Sequence, residues 1–430
     1  MNANDRSLAG FTGLGHGTLH GFELSIPVFV PIWLVVFDVS PTVLGAVIGA
    51  GYALVGLGSP LAGVLADRYG SKRLVLVSIG GMTLAFALLS VVDGILSLGA
   101  VLVLWGAAAS LYHPAGLSLI SRTADRRGTV LAYHGMGGNL GMVLLPLVTI
   151  LLLAFFEWRT VAILIAIPAA VCVVVGLFLP VADRQSGAVG RPETAAANGS
   201  DIPSNGGDVP SNVTDVSSIG TRIAGRLRTF LSNSRGLLVG GFLFVFAIQM
   251  VYGTYYRGIF TFLPDVLAAL PVFEPIAIGE RELESGQLAY SGLLLVGAGG
   301  QYVGGVLADR IDAELALVGT FAVLVVASIA FVPAAEIGLP ALLAVCAILG
   351  FFIYAFAPIG QTLVAEYAPD ESHGLSFGYV YLGTFGVGAV GAVLAGGAID
   401  LGGTPLLFAV LTLLVGACTA IALVLFARSR

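Results

Sequence analysis

Charge is what this sequence has least of. Lys, Arg, Asp and Glu make up 10% of its 430 residues, against about 25% in soluble domains. A water-soluble fold so poor in charge would leave too much apolar surface wet, which excludes a cytosolic enzyme and a disordered chain. The net charge of −6 leaves no basic excess for phosphate contacts, so no nucleic-acid partner is expected. Cysteine is scarce as well: Cys172, Cys346 and Cys418 lie far apart inside apolar runs, with neither a paired count nor metal-ligand spacing, and read as packing residues. There is no phosphate-binding Gly-x-x-x-x-Gly-Lys-Ser/Thr loop, so neither direct ATP use nor a cofactor is expected.

What the chain has instead is apolar length. Hydrophobic residues make up 57% of it, and a bilayer core takes ~20 such residues per helical span. Runs fall near 10–36, 42–65, 73–93, 97–120, 129–153 and 159–180, then near 237–263, 288–308, 314–334, 339–364, 374–398 and 404–426. The reading is an all-α membrane protein of twelve transmembrane helices in two pseudo-symmetric six-helix bundles. The N-terminal bundle takes residues 1–182, a linker 183–235, and the C-terminal bundle 236–430. The linker is rich in Gly, Ser, Asn, Asp and Pro and cannot pack a core. Near its end Ile219, Ile223, Leu227, Phe230 and Leu231 recur at helical spacing, which suits a short helix lying on the membrane surface. The first apolar run is too long for a cleavable signal and is expected to stay as span 1.

Basic residues set the orientation. With both termini in the cytoplasm, sixteen of the 19 Lys and Arg residues face inward, including Arg68, Lys72, Arg73, Arg126, Arg310 and Arg428. A multi-pass plasma-membrane protein, working as a monomer in the lipid bilayer, is expected.

The halves repeat each other. Gly63-Val-Leu-Ala-Asp67-Arg68 recurs letter for letter as Gly305-Val-Leu-Ala-Asp309-Arg310, His16-Gly-Thr18 answers Tyr252-Gly-Thr254, and Pro114-Ala-Gly116 answers Pro358-Ile-Gly360. Duplicated halves of this kind are a transporter architecture, with the substrate held between them near the midplane.

The run Gly63-Val-Leu-Ala-Asp67-Arg68-Tyr-Gly70-Ser-Lys72-Arg73 resembles the loop motif of the major facilitator superfamily. A finer likeness, to its fosmidomycin-resistance-like branch, rests on Tyr112-His113-Pro114-Ala-Gly116 and on Gly137-Gly138-Asn139-Leu-Gly141 followed by Pro146. The resemblance implies two bundles rocking around a central cavity lined by the first and fourth helices of each half. It also implies a conformational latch at Gly63, Asp67, Arg68, Gly70, Lys72 and Arg73, repeated at Asp309 and Arg310, with Asp67 set against the start of span 11 near Gly374. The plainer reading of that loop is a basic segment that only sets topology. Span 5 departs from the superfamily's Gly-Pro antiporter motif, having Gly135-Met-Gly137-Gly138 and no proline before Pro146.

An ionisable group inside a span needs a reason, because each costs ~2.5 to 3.5 kcal/mol at the centre. Span 1 carries His16, His20 and Glu23 at spacings of four and three, on one helical face. A carboxyl with a histidine one turn away is suited to exchanging a proton; the alternative is an acid that never titrates, with histidines bonding neighbouring helices. His113 precedes the kink expected at Pro114 and reads equally as a cavity or a packing residue. His134 is placed near the inner end of span 5 and read as wet. In the second half the candidates are Tyr252, Tyr256 and Arg257 in span 7 and Tyr354 and Gln361 in span 10. Arg257 either snorkels to the headgroups or faces the cavity, where it would favour an anionic group. The two tyrosines share a face for cargo, or pack between helices. Gly137, Gly138, Gly141 and their counterparts in span 11 read as a moving interface between the halves, with Asn139 bonding across it.

The expected function is secondary active transport of a small polar or anionic solute or drug, with protons as coupling ion and export as the favoured direction. Proton-coupled uptake of an organic acid is the runner-up, and a non-transporting membrane sensor the reading from another class. No nucleophile and no full metal-ligand set stands out, which speaks against a membrane enzyme.

Overall fold

The computed structural model describes residues 1–181, 240–278, 281–368 and 373–430. The linker, its surface helix and the start of span 11 near Gly374 fall largely or wholly outside the described residues or side chains, as does the Asp67 side chain.

By length and composition ten helices are able to cross a membrane among the described residues. The last of these, Ser376–Arg428, contains Gly403 at φ 65°, ψ −157°, a left-handed conformation that suits glycine and turns one long helix into spans 11 and 12. The remaining span is Gly241–Ala268, 28 residues whose apolar run is interrupted by Gln249, three tyrosines and Arg257. Among the described residues twelve spans result, as the hydropathy pattern predicts.

Helix ends follow local chemistry. Asn2 accepts the Asp5 amide at 2.7 Å to start span 1 (Ala3–Val36). Asp5 in turn is buried, and its carboxylate accepts the Asp125 and Arg126 amides at 3.0 and 3.1 Å ahead of span 5 (Arg127–Leu153). Ser40 followed by Pro41 opens span 2 (Pro41–Tyr69). Gly70 at φ 92° closes it and leads directly into span 3 (Ser71–Leu88). Span 4 is broken: one helix runs Ile95–Ser110 and a second Tyr112–Thr123, with Pro114 in the first turn of the second, where its missing amide costs least. Span 6 is Trp158–Phe178, and spans 8, 9 and 10 are Ser285–Ala308, Ala313–Ile337 and Leu339–Tyr367. Two short strands, Ile276–Ile278 and Arg281–Leu283, pair antiparallel ahead of span 8, between two of the apolar runs.

Helix pairing repeats between the halves. Span 1 packs on span 5 as span 7 packs on span 11, span 2 on span 4 as span 8 on span 10, and span 3 on span 6 as span 9 on span 12. Across the halves span 2 meets span 11, span 8 meets span 5, and span 1 meets span 7, which is the contact pattern of a pseudo-twofold axis. The three cysteines are buried and free. Val171, Val174, Phe178 and Leu413 are exposed on helices, as lipid-facing positions should be.

The glycines of span 5 overturn one expectation. The Gly13 backbone occupies the space that a Cβ on Gly137 would need, and the Gly17 backbone that of a Cβ on Gly141, so these residues seal span 5 onto span 1 inside the same half. Gly138 lies against the His16 ring. Among the described residues Asn139 makes no hydrogen bond across a helix contact. Across the halves the close glycine contacts are those of span 2 with span 11, where Gly45 meets Ala392 and Gly56 meets the Gly386 backbone, so of the two glycine-rich spans it is span 11 that brings a glycine to the facing half. At that contact span 11 is wound as a π-helix over Leu382–Val387, which widens the turn where span 2 approaches.

Candidate functional site

Spans 1 and 7, the first helix of each half, meet at an ion pair. The Arg257 guanidinium donates to Glu23 Oε1, and the His20 Nδ1 lies 2.8 Å from Glu23 Oε2. Both ends of the pair are buried, Arg257 at 1% exposure and Glu23 at 3%. Arg257 therefore does not snorkel to a headgroup. Isolated, either charge would cost several kcal/mol in this setting; together with further donors they neutralise each other.

Aromatic rings wall the pair. The guanidinium carbon lies 3.9 Å from the Tyr52 ring centroid, 5.4 Å from that of Tyr256 and 5.5 Å from that of Phe385. The Tyr52 hydroxyl donates to the Glu23 carbonyl at 3.0 Å, and Tyr290 to the Leu24 carbonyl at 3.2 Å, so spans 2 and 8 both hold the backbone of span 1 at this level. Tyr256 and Tyr354 hydroxyls are 3.4 Å apart. Arg257 Nε is buried and has no hydrogen-bond partner, leaving one charged donor open beside the pair.

Toward the face that carries both termini, four histidines cluster. The His16 and His134 rings stack at 4.1 Å, His16 lies 4.7 Å from His20 and 5.1 Å from His113, and His20 lies 5.4 Å from His113. His134 is buried rather than wet, and its Nδ1 donates to the Thr12 carbonyl at 3.2 Å. The Tyr112 hydroxyl donates to the same carbonyl. His113 reaches the group because the break in span 4 falls just before it, and it also faces the Tyr381 ring at 5.4 Å. Ligand nitrogens of His16, His20 and His113 come within 4.8 Å of one another. Sequence spacing gave no metal-ligand set because the third imidazole comes from a different span.

Other expected residues land elsewhere. Tyr252 is a packing residue: buried, its hydroxyl donates to the Ile353 carbonyl at 2.5 Å and its ring lies 3.8 Å from that of Phe356. Gln361 is exposed, about two turns closer to the termini face than Tyr354, and stands outside the cluster. Of the loop residues, Lys72 Nζ donates to the Leu179 carbonyl at 2.7 Å, a contact within the first half. Arg68 lies over the Tyr69 ring at 5.3 Å, while Arg73, Asp309 and Arg310 are exposed and Gly63 is half-buried.

Tyr52, Tyr290, Tyr381 and Phe385 are the site residues that the sequence did not reveal. Each is one aromatic in an apolar run, and nothing in a run distinguishes a cavity wall from a core residue.

The halves also touch at the face opposite the termini. Thr42 at the start of span 2 donates through its amide, at 2.9 Å, and through its hydroxyl to Asp400 at the end of span 11. Arg281 of the hairpin donates to the Phe155 carbonyl at 2.6 Å. The site is thus closed off on that side, whereas His20 keeps 18% of its side chain exposed.

The sequence pattern of the Major Facilitator Superfamily matches this chain over residues 14–337 and again over 268–430. The chain belongs to that superfamily. Among curated relatives, this major facilitator protein is 30% identical over 141 residues to a multi-drug resistance efflux pump PmrA homolog of Lactococcus lactis, a stretch covering 31% of the chain and 35% of the relative. It is 38% identical over 125 residues to a probable actinorhodin transporter of Streptomyces coelicolor, covering 28% of the chain and 22% of that protein. The chain thus matches little more than a third of the length of one relative and under a quarter of the other. Among solved structures it is similar to a POT family transporter in complex with 5-aminolevulinic acid, with TM-score 0.73, 12% identity, and 97% and 95% of the two chains covered. It is also similar to a bacterial homologue of the human lysosomal transporter Spinster in an inward-facing, unoccupied conformation, with TM-score 0.68, 15% identity, and 99% and 96% covered. At these identities the structural likeness shows the fold alone. Membership sets the chain among the multi-pass membrane proteins of a transporter superfamily.

Proposed function

We propose that this chain is a secondary active transporter that moves a small polar or anionic solute by rocking its two halves about the Glu23–Arg257 level, with protons as the coupling ion. The observation that carries this reading is the buried ion pair itself, formed where the first spans of the two halves meet. A charge pair spanning the moving contact ties occupancy to pose: protonating Glu23 removes the partner of Arg257, and an anionic cargo at Arg257 competes with Glu23 for the same donors. His20, hydrogen-bonded to Glu23 and partly exposed, is the route by which a proton reaches the carboxylate.

The arginine bias supports termini in the cytoplasm, which would put the Thr42–Asp400 contact at the outer surface of the plasma membrane. The pose described is then closed to the outside. The linker 183–235 would join bundles 1–182 and 236–430 on the cytoplasmic side, and the loop residues Gly63 to Arg73, with Asp309 and Arg310, would latch that side when it closes. The chain would work as a monomer.

Export is the reading supported by the two named relatives, an efflux pump and a probable transporter of actinorhodin, and by the span 4 and span 5 strings that resemble the fosmidomycin-resistance-like branch. Uptake of an organic acid by proton symport has one observation in its favour. Protonation of Glu23 frees Arg257 for an anion, so proton and anion bind cooperatively rather than in competition, which is symport logic.

The test is flux in proteoliposomes under an imposed pH gradient, run with a panel of organic anions and drugs. The expected result is gradient-driven movement that Glu23→Gln abolishes while solute counterflow persists. Gradient-driven flux unchanged in Glu23→Gln would overturn the coupling role.

A further inference from the structure

We propose that His16, His20 and His113 form a binding site for a divalent transition-metal ion of the Zn2+ class, on the termini side of the Glu23–Arg257 pair. This goes beyond the transport reading and does not depend on it; the proton route through His20 belongs to the metal-free state, because a metal on His20 Nε2 would close it.

Three observations bear on it. The first is proximity: one nitrogen from each imidazole lies within 4.8 Å of the others, and all three side chains are half-buried. In tetrahedral zinc sites the metal–nitrogen distance is ~2.0–2.1 Å, which puts ligand nitrogens roughly 3.3 Å apart. Closing the present group therefore takes ring movements of about an ångström, within the reach of side-chain torsions.

The second is an orphaned lone pair. His16 Nδ1 lies 2.9 Å from the His134 carbonyl, an acceptor, so this nitrogen carries the proton and Nε2 carries the lone pair. That Nε2 is buried and has no hydrogen-bond partner. Buried polar atoms without partners are rare in folded proteins and ask for one, and a metal ion supplies it.

The third is the arrangement behind the ligands. His20 Nδ1 faces Glu23 Oε2 at 2.8 Å, so its proton is held by a carboxylate and the lone pair free for a ligand bond is on Nε2. An imidazole backed by a carboxylate or a backbone carbonyl is the habit of metal-binding histidine, because the outer hydrogen bond fixes the tautomer and raises the basicity of the ligating nitrogen. His16 has the carbonyl version and His20 the carboxylate version. His134 stacks on His16 at 4.1 Å with its Nδ1 on the Thr12 carbonyl, and so orients His16 without contributing a ligand.

The remaining groups around the cluster are Tyr112, bonded to the Thr12 carbonyl, Tyr381 against His113, and the neutralised Glu23–Arg257 pair. No unpaired cation among the described residues of this cluster opposes a divalent ion. Three neutral imidazoles suit Zn2+, Cu2+ or Ni2+ rather than Mg2+ or Ca2+, and a three-histidine set leaves a fourth position for water or an anionic ligand.

The experiment uses full-length protein in detergent, with no polyhistidine tag. Zn2+ binding is measured by isothermal titration, and Co2+ is used as a spectroscopic probe of tetrahedral ligation. One Zn2+ per chain is expected, with affinity falling at least about tenfold in His113→Ala and in His20→Gln. His20→Gln retains a donor for Glu23, and its thermal unfolding transition verifies that the fold persists. His113→Cys is expected to keep the metal and to add a thiolate signature to the Co2+ spectrum, which a merely structural histidine would not do. No Zn2+ binding by folded wild-type protein, or equal affinity in the His16→Ala/His20→Ala/His113→Ala variant, would overturn the proposal. Flux measured with chelator present tests transport separately, so failure of the metal site leaves the transport reading standing.

Discussion

Arg257 and Glu23, 234 residues apart in sequence and in opposite halves, share a hydrogen-bonded ion pair, with the Tyr52 ring stacked against the guanidinium. Removing either charge strands the other in a buried site. Glu23→Gln and Arg257→Gln are each expected to destabilise the protein by about 3–5 kcal/mol, and the double substitution by clearly less than the sum. Unfolding of the purified variants in detergent checks this; strict additivity would mean that the two groups do not interact.

Tyr52 acts on the pair in two ways that substitution separates. Tyr52→Phe keeps the ring over Arg257 and loses the hydrogen bond to the Glu23 carbonyl, a loss of about 1 kcal/mol. Tyr52→Leu also loses the cation–π contact, worth up to about 2 kcal/mol more where desolvated. The ordering wild type, Phe, Leu should appear in unfolding midpoints; an equal loss in both variants would show that the ring itself contributes nothing.

The Thr42–Asp400 contact holds the halves together at the face away from the termini. In a Thr42→Cys/Asp400→Cys variant, a short bis-methanethiosulfonate, which joins the two thiols through disulfides, should trap that face closed and stop flux in proteoliposomes, and reduction of those disulfides should restore it. The native cysteines are buried, so they should compete little for the reagent. Flux that continues after complete cross-linking would exclude opening at this face from the transport cycle.

The seam between spans 1 and 5 should tolerate no added volume. Gly141→Val drives a side chain into the Gly17 backbone and is expected to cost about 1–3 kcal/mol or to prevent folding. Gly135→Ala, where a Cβ meets open space in the same helix, should leave the unfolding midpoint unchanged and its yield normal. Equal behaviour of the two would place the seam elsewhere.

Much of this site is legible within single helices. The spacing of His16, His20 and Glu23 puts them on one face whatever the neighbours are, and the repeated Gly63 to Arg68 string marks equivalent points in both halves. Residues whose role depends on another helix were not legible. Arg257 read equally as a headgroup anchor, because its depth in span 7 does not say which way its face turns. Gly137 and Gly141 signalled close packing correctly but not its partner, since small residues permit an approach without naming the helix that approaches. Tyr252 and Tyr256 share one face in sequence, yet one ends in packing and the other beside the guanidinium.

The amino-acid sequence alone determined that this chain lives in a bilayer as twelve helices in two related halves, because the scarcity of charge and the length of the apolar runs allow no other solvent. Tertiary structure decided which polar groups meet. In lipid the hydrophobic effect that inserts helices does not choose among helix faces, so the joining of Glu23 to Arg257 and the gathering of His113 with His16 and His20 came from shape, small-residue contacts and the need of each buried charge for a partner.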